Sequence, residues 1–234
     1  MISPRAGRAG PFFIEKTVPH RKKRYCELTL RRYYVAMKLL IATKNANKVR
    51  EIRVKLGRVP MIEILSFADV GELPDIVEDG GTFAENAAIK ALAVASATGM
   101  MALADDSGLV VDALDGAPGI YSARFGGSGL SDRERCLLLL EKMTAIPEGS
   151  RSARFVCAIA IARPGTVVHT TEGVCEGSII REMRGSMGFG YDPVFLVEGT
   201  GRTMAELSLD EKNRISHRAR ALEAATHFME KLSI

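Results

Sequence analysis

The chain has 234 residues, 47% of them hydrophobic, and a formal net charge of +4, enough material for one large domain or two small ones around a substantial core. No apolar run approaches the roughly 20 residues a membrane helix needs, so a membrane-spanning helix is excluded. The charge is unevenly placed: residues 1–36 hold nine Lys/Arg against Glu15 and Glu27, a net +7, so the remainder carries −3 and makes no global case for nucleic-acid binding.

In chain order, residues 1–36 show no hydrophobic periodicity, and directly after them comes Met37 with the compact run "MKLLIATKN". Three readings compete for this basic leader: a start placed too far upstream or an added tail, an Arg-rich transit peptide, and a nucleic-acid-binding arm. The first is favoured, with the fold beginning at Met37 and the leader disordered or loosely docked. The four cysteines, Cys26, Cys136, Cys157 and Cys175, form no Cys-x-x-Cys pair. They read as reduced, mostly buried thiols of a cytoplasmic protein.

From Met37 onward the pattern predicts a strand at 38–43, a helix at 46–57, a strand at 61–65 and a loop through 68–81. A helix follows over 82–99, with Thr82 and Glu85 at capping-box spacing and Gly99 as its C-terminal stop. In "ALADDSGLVVDAL" a strand is expected to end at Asp105, with a second strand over 108–114 and a loop over 115–129. A helix opened by Ser131 is expected over 131–145, then an antiparallel pair at 152–163 and 166–174 turned at "RPGT", and a closing helix over 214–232. The expected class is α/β with a mixed sheet.

Five stretches carry candidate chemistry. Asp105 and Asp106 are adjacent carboxylates whose repulsion calls for a cation or donors. "TKNANKVREI" places Thr43, Asn45 and Lys48 at a strand–helix junction, where backbone N–H groups favour a phosphate chain, although an Asn-capped helix with a solvated Lys explains the segment equally well. In "VEDGGTFAENAAIKA", Glu78 and Asp79 precede a Gly-Gly turn, and Asn86 and Lys90 share a helix face; with Asp105 and Asp106 they form an oxygen-rich set of the kind Mg²⁺ uses alongside substrate phosphates. "GSMGFGYDPVF" offers Phe189 and Tyr191 for stacking on a base and Asp192 as an acceptor. "LDEKNRISHRARAL" gathers Lys212, His217 and Arg218, suited to carbonyl oxygens and phosphates.

Together these segments, in this order, resemble the inosine triphosphate pyrophosphatase family, also called XTP/dITP diphosphatases, over residues 37–232. The most specific matches are "ATKNANKVREI", "TFAENAAIKA", "ADDSGLVVDALDGAPGIYSARF", "GFGYDPVF" and "EKNRISHRARAL". One mild departure is Ala46 and Asn47, where such proteins often carry Gly.

The resemblance implies an elongated, two-lobed α/β fold with a central mixed sheet flanked by helices and the active site in the cleft between lobes. It implies Mg²⁺-dependent hydrolysis of ITP, dITP and XTP to the monophosphate and pyrophosphate, by a cytoplasmic homodimer with no membrane or nucleic-acid partner. By the same resemblance Asp106 is general base and metal ligand, Glu78 the second metal ligand, and Asp105, Asn86 and Lys90 support them. Thr43, Lys44, Asn45, Ala46, Asn47 and Lys48, with Lys90, hold the triphosphate, and Ser107 is a further substrate ligand. Phe189, Gly190, Tyr191, Asp192, Lys212, His217 and Arg218 face base and sugar. Donors at the 6-position of the purine would favour hypoxanthine and xanthine over adenine, because a 6-amino group leaves them unpaired. Alternatives are a pyrophosphatase of modified pyrimidine triphosphates and a non-enzymatic nucleotide- or RNA-binding protein.

Overall fold

The computed structural model describes residues 36–71, 75–127 and 129–232, so the expectations for the leader, including Cys26, lie outside the described residues. Six strands form one mixed sheet: β1 (Met37–Ile41), β2 (Ile62–Leu65), β3 (Met101–Val111), β4 (Ser152–Arg163), β5 (Thr166–Ile179) and β6 (Phe195–Val197). Their order is β2-β1-β3-β4-β5-β6. β1 pairs in parallel with β2 and β3, and every later neighbour is antiparallel. The helices are α1 (Ala46–Leu56), α2 (Phe67–Val70), α3 (Phe83–Thr98), α4 (Asp132–Lys142), α5 (Leu209–Ile215) and α6 (His217–Leu232).

Alternation along the strands decides what each face buries. Leu39, Ile41 and Leu103 point with Ile159 and Ile161 to one face, where Ile52 and Leu56 of α1 and Leu222 and Met229 of α6 cover them. Leu40, Ala102, Ala104, Ala158 and Ala160 point to the other face, against Ala87, Ala91 and Ala95 of α3. Alanine on both sides lets α3 lie close to the sheet. Farther along the first face, Leu109, Val111 and Phe155 join Cys136 and Leu139 of α4 in a separate apolar cluster with Tyr191 and Phe195. On that face β3 therefore runs from one apolar cluster to the other, and Asp105 and Ser107 fall between them.

The predicted caps of α3 are present. Thr82 accepts from the Glu85 N–H, the Glu85 carboxylate accepts from the Thr82 N–H, and Gly99 ends the helix at φ 70°. Three expectations are corrected. The strand does not stop at Asp105, because Asp105, Asp106 and Ser107 stay in register with Ile159, Ala158 and Cys157 of β4. The closing helix is two helices: Ser216 is extended at ψ 156°, and its hydroxyl accepts from the Ala219 N–H as the cap of α6. The expected loops also contain helical turns, α2 at its start in one case and the 3₁₀ segment Gly119–Arg124 in the other.

Candidate active site

Because the strand continues, its two acids face opposite ways. Asp105 points with Leu103 toward α1 and α6, and Asp106 points with Ala104 toward α3. Pleating thus relieves the repulsion that the sequence implied, and gives each carboxylate its own partners.

Asp105 is fully enclosed. Its Oδ1 accepts from Lys48 Nζ at 2.6 Å and Ser107 Oγ at 2.9 Å, and its Oδ2 accepts from Arg218 Nε at 2.6 Å and the Cys157 thiol at 3.2 Å. Burial alone would raise its pKa, but Arg218 and Lys48 hold it well below the usual carboxylate range. Arg218 also donates to Glu51 at 2.5 Å and Ser107 at 2.9 Å. Burial works against the Arg218 charge, yet Asp105 and Glu51 more than offset it and keep the guanidinium protonated. Arg218 thus braces β3, α1 and α6 while also lining the cavity of Phe189, where it was expected to face base and sugar.

The chain continues to Lys212, whose Nζ lies 2.6 Å from Asp192 Oδ2 and 3.1 Å from Glu51 Oε1. Three buried acids, Glu51, Asp105 and Asp192, thus meet three cations, Lys48, Lys212 and Arg218. Removing one member of such a set costs about 3–5 kcal/mol, because its partner is left charged and dry. Glu51 escaped the sequence reading. Its signal was position: it lies three residues after Lys48 and beside buried Ile52, so a charge occupies the inward face of α1.

Asp192 also has a structural part. Its Oδ2 accepts from Lys212 and from the Phe189 N–H at 3.0 Å, which closes the Gly-rich loop, and the residue lines the same cavity as Phe189. Gly188, at φ 80°, is required there, since a Cβ would come 2.0 Å from that oxygen. Tyr191 is no open stacking face: its ring is buried in the α4 cluster and its hydroxyl donates to Ser122 O at 3.0 Å. Phe189 remains as the partly open ring, with Lys212 Nζ 4.7 Å and Arg218 Cζ 5.6 Å from its centroid. Gly190 is held from α4, its N–H donating to Asp132 at 2.7 Å. No spacing in the sequence tied Asp132 to this loop.

His217 is buried and stacked on Phe155, with centroids 4.8 Å apart. Burial, reinforced by Arg218, pushes its pKa well below the ordinary histidine value, so the ring is neutral and makes no charge-assisted bond as an imidazolium. Its Nδ1 is buried without a hydrogen-bond partner among the described residues.

On the other face, Asp106 Oδ1 accepts from Lys90 Nζ at 2.7 Å, and the same amine reaches Glu78 at 2.9 Å. Burial raises the Asp106 pKa and Lys90 offsets part of that rise. Its Oδ2 is buried with no hydrogen-bond partner among the described residues. Lys90 therefore bridges two acids and lines a cavity with them. Asn86, one turn earlier, accepts from the Gly80 N–H at 2.9 Å and pins the turn that follows Glu78.

At the start of α1 the Asn cap is present, but Lys48 is not the solvated lysine of that alternative, being largely buried against Asp105. Asn45 Oδ1 accepts from the Asn47 and Lys48 N–H groups at 3.0 and 3.1 Å, so those amides are already used. Thr43 Oγ1 accepts from the Asn45 N–H, Ala46 opens the helix, and Lys44 pairs with Asp75 at 2.7 Å.

Two cavities meet across this arrangement. The first, about 200 Å³, holds Phe189, Lys212 and His217. The second, about 380 Å³, holds Glu78, Lys90, Asp106 and Arg124. Asn45, Lys48, Ser107 and Ala123 line both, so one elongated ligand can occupy the pair. An aromatic, cation-rich end and an acid-and-cation end suit a molecule with a flat ring at one end and phosphates at the other.

Comparison with known proteins gives the same picture. Residues 39–228 match the sequence model of the Ham1 family. A dITP/XTP pyrophosphatase of Desulforamulus reducens is 48% identical over 198 residues, covering 85% of this chain and 98% of the relative. The dITP/XTP pyrophosphatase of Bacillus subtilis is 46% identical over 82% of this chain and 96% of its own. The solved structure of a HAM1 protein from Coxiella burnetii superposes with a TM-score of 0.76 at 42% identity, covering 83% of this chain and 99% of that one.

Proposed function

Because the chain belongs to the Ham1 family, we propose that its paired cavities hydrolyse non-standard purine nucleoside triphosphates such as ITP, dITP and XTP to the nucleoside monophosphate and pyrophosphate. The observation that carries this reading is the Asp106 Oδ2, unpartnered among the described residues, in a charged cavity that shares the wall of Asn45, Lys48 and Ser107 with the cavity of Phe189. The base lies in the cavity of Phe189, the α-phosphate passes the wall of Asn45, Lys48 and Ser107, and the outer phosphates enter the cavity of Glu78 and Lys90.

In this frame Asp106 is the general base. Lys90 fixes its Oδ1, so Oδ2 is the oxygen presented to the attacking water. Water adds to the α-phosphorus, its proton passes to Asp106, and pyrophosphate leaves with the electron pair of the broken P–O bond. Ser107, held by Asp105 and Arg218, and Lys48, held by Asp105, keep fixed positions along that path. Lys212 is the donor proposed to favour a 6-oxo purine, since a 6-amino group would leave its buried amine facing another donor.

Mg²⁺ belongs to the same proposal. Glu78 and Asp106 fit it: both offer hard oxygen, and one Asp106 oxygen is buried without a partner among the described residues. Two carboxylates do not saturate such an ion, so phosphate oxygens would complete its shell. When bound it would neutralise phosphate charge and acidify the attacking water.

We also propose a homodimer, on the family resemblance, and a cytoplasmic setting, which fits the unpaired buried Cys136, Cys157 and Cys175. No helix of the described residues is long and apolar enough to cross a membrane. The direct test of the reaction is pyrophosphate release from ITP, dITP, XTP, ATP, GTP and modified pyrimidine triphosphates, with and without Mg²⁺. Metal-dependent release confined to the 6-oxo, non-standard purines is expected; preference for a pyrimidine, or no release, overturns the reading.

A further inference from the structure

The cavity of Asp106 is lined by four cationic side chains, and three already face carboxylates. Lys44 pairs with Asp75, Lys48 with Asp105, and Lys90 with both Glu78 and Asp106. Arg124 has no carboxylate partner among the described residues. Its guanidinium lies over the Tyr121 ring at 4.9 Å from the centroid, a contact that orients the group without neutralising it.

The segment that carries Arg124 is firmly mounted. Ser122 Oγ donates to Gly119 O at 2.6 Å and accepts from the Leu109 N–H at 2.9 Å, while Ser122 O accepts from Tyr191. The approach to β3 is so close that a Cβ on Gly108 would come 2.4 Å from Gly119 O. Arg124 is thereby fixed to the strand that carries Asp106, immediately after Ala123 on the wall between the cavities.

Resting on the proposed reaction, we infer that Arg124 binds the outer phosphates of the substrate and stabilises the departing pyrophosphate. The bond that breaks joins the α-phosphorus to its bridging oxygen, and the electron pair stays with that oxygen. The leaving group gains negative charge at the end of the cavity where Arg124 supplies the uncompensated positive charge. A guanidinium matches two phosphate oxygens at once. Donors aimed at charge that develops during the reaction affect rate as well as affinity.

The test compares Arg124→Gln and Arg124→Lys with the wild type by calorimetric titration of inorganic pyrophosphate and of dIMP, alongside dITP turnover. Arg124→Gln is expected to weaken pyrophosphate binding by about tenfold or more, leave dIMP binding unchanged, and lower kcat/KM by about 10²-fold. Arg124→Lys, which keeps the charge but loses the planar group, is expected to fall between. Unchanged pyrophosphate binding, or equal weakening of both products, overturns the inference. Selective loss of pyrophosphate binding in a protein that does not hydrolyse dITP would instead overturn the reaction and leave the phosphate site standing.

Discussion

The two faces of β3 at one peptide bond make the most informative contrast in the molecule. Asp105 receives four donors, one from each of Lys48, Ser107, Cys157 and Arg218, and no oxygen is left free. Asp106 receives Lys90 on one oxygen and, among the described residues, no donor on the other. A carboxylate saturated by protein donors has no capacity for substrate or water and acts through what it holds. An incompletely satisfied one, next to a cavity, keeps a lone pair for chemistry. Adjacent residues of one type thus separate into a brace and a reacting group.

The sharpest way to test this contrast is to neutralise each acid in turn. Asp106→Asn is expected to lower kcat for pyrophosphate release by about 10³-fold, the scale of a lost general base, while thermal unfolding stays close to wild type. A variant that keeps near-normal turnover would move the chemistry away from Asp106. Asp105→Asn is expected to do the reverse in emphasis. It leaves Lys48 and Arg218 buried beside a neutral group and should cost about 3–5 kcal/mol in urea unfolding. A stability loss under 1 kcal/mol would contradict the brace.

A smaller effect follows from His217, which sits behind the same network. Its folded-state pKa lies well below that of the unfolded chain, so folding disfavours its protonation. Its contribution is intact above the unfolded value and is lost as pH falls through the window between the unfolded and the depressed folded pKa. Wild-type stability should therefore decline below about pH 6.5 with a component of about 1.4 kcal/mol per pH unit. Unfolding titrations of His217→Gln should lack that component, and an unaltered slope would mean that the imidazole is not held neutral.

Much of the frame was legible before any coordinates. The Thr82–Glu85 box and Gly99 bounded α3, and the alternation around "RPGT" placed β4 and β5, because caps and strand periodicity are local. The candidate residues were also legible as a set. Their roles were less so, because a role depends on where each donor is consumed. Arg218, His217 and Asp192 read as ligands for a base when taken as polar residues in a motif. In the fold they line the cavity of Phe189, but Asp105 and Glu51 also take the guanidinium, burial neutralises the imidazole, and Phe189 and Lys212 take one carboxylate oxygen. Asp132 and Glu51 were missed because their partners lie 58 and 167 residues away.

The sequence by itself determined an α/β chain with a mixed sheet, the family, and the list of acids and cations from which a site is built. These follow from local pattern and residue type. Only the tertiary structure decided that "ADDSG" is uninterrupted strand, paired residue by residue with β4. With the strand unbroken, pleating sends Asp105 and Asp106 to opposite faces, one toward Lys48 and Arg218 and the other toward Lys90 and Glu78. Two identical side chains acquire different chemistry because the sheet gives them different neighbours.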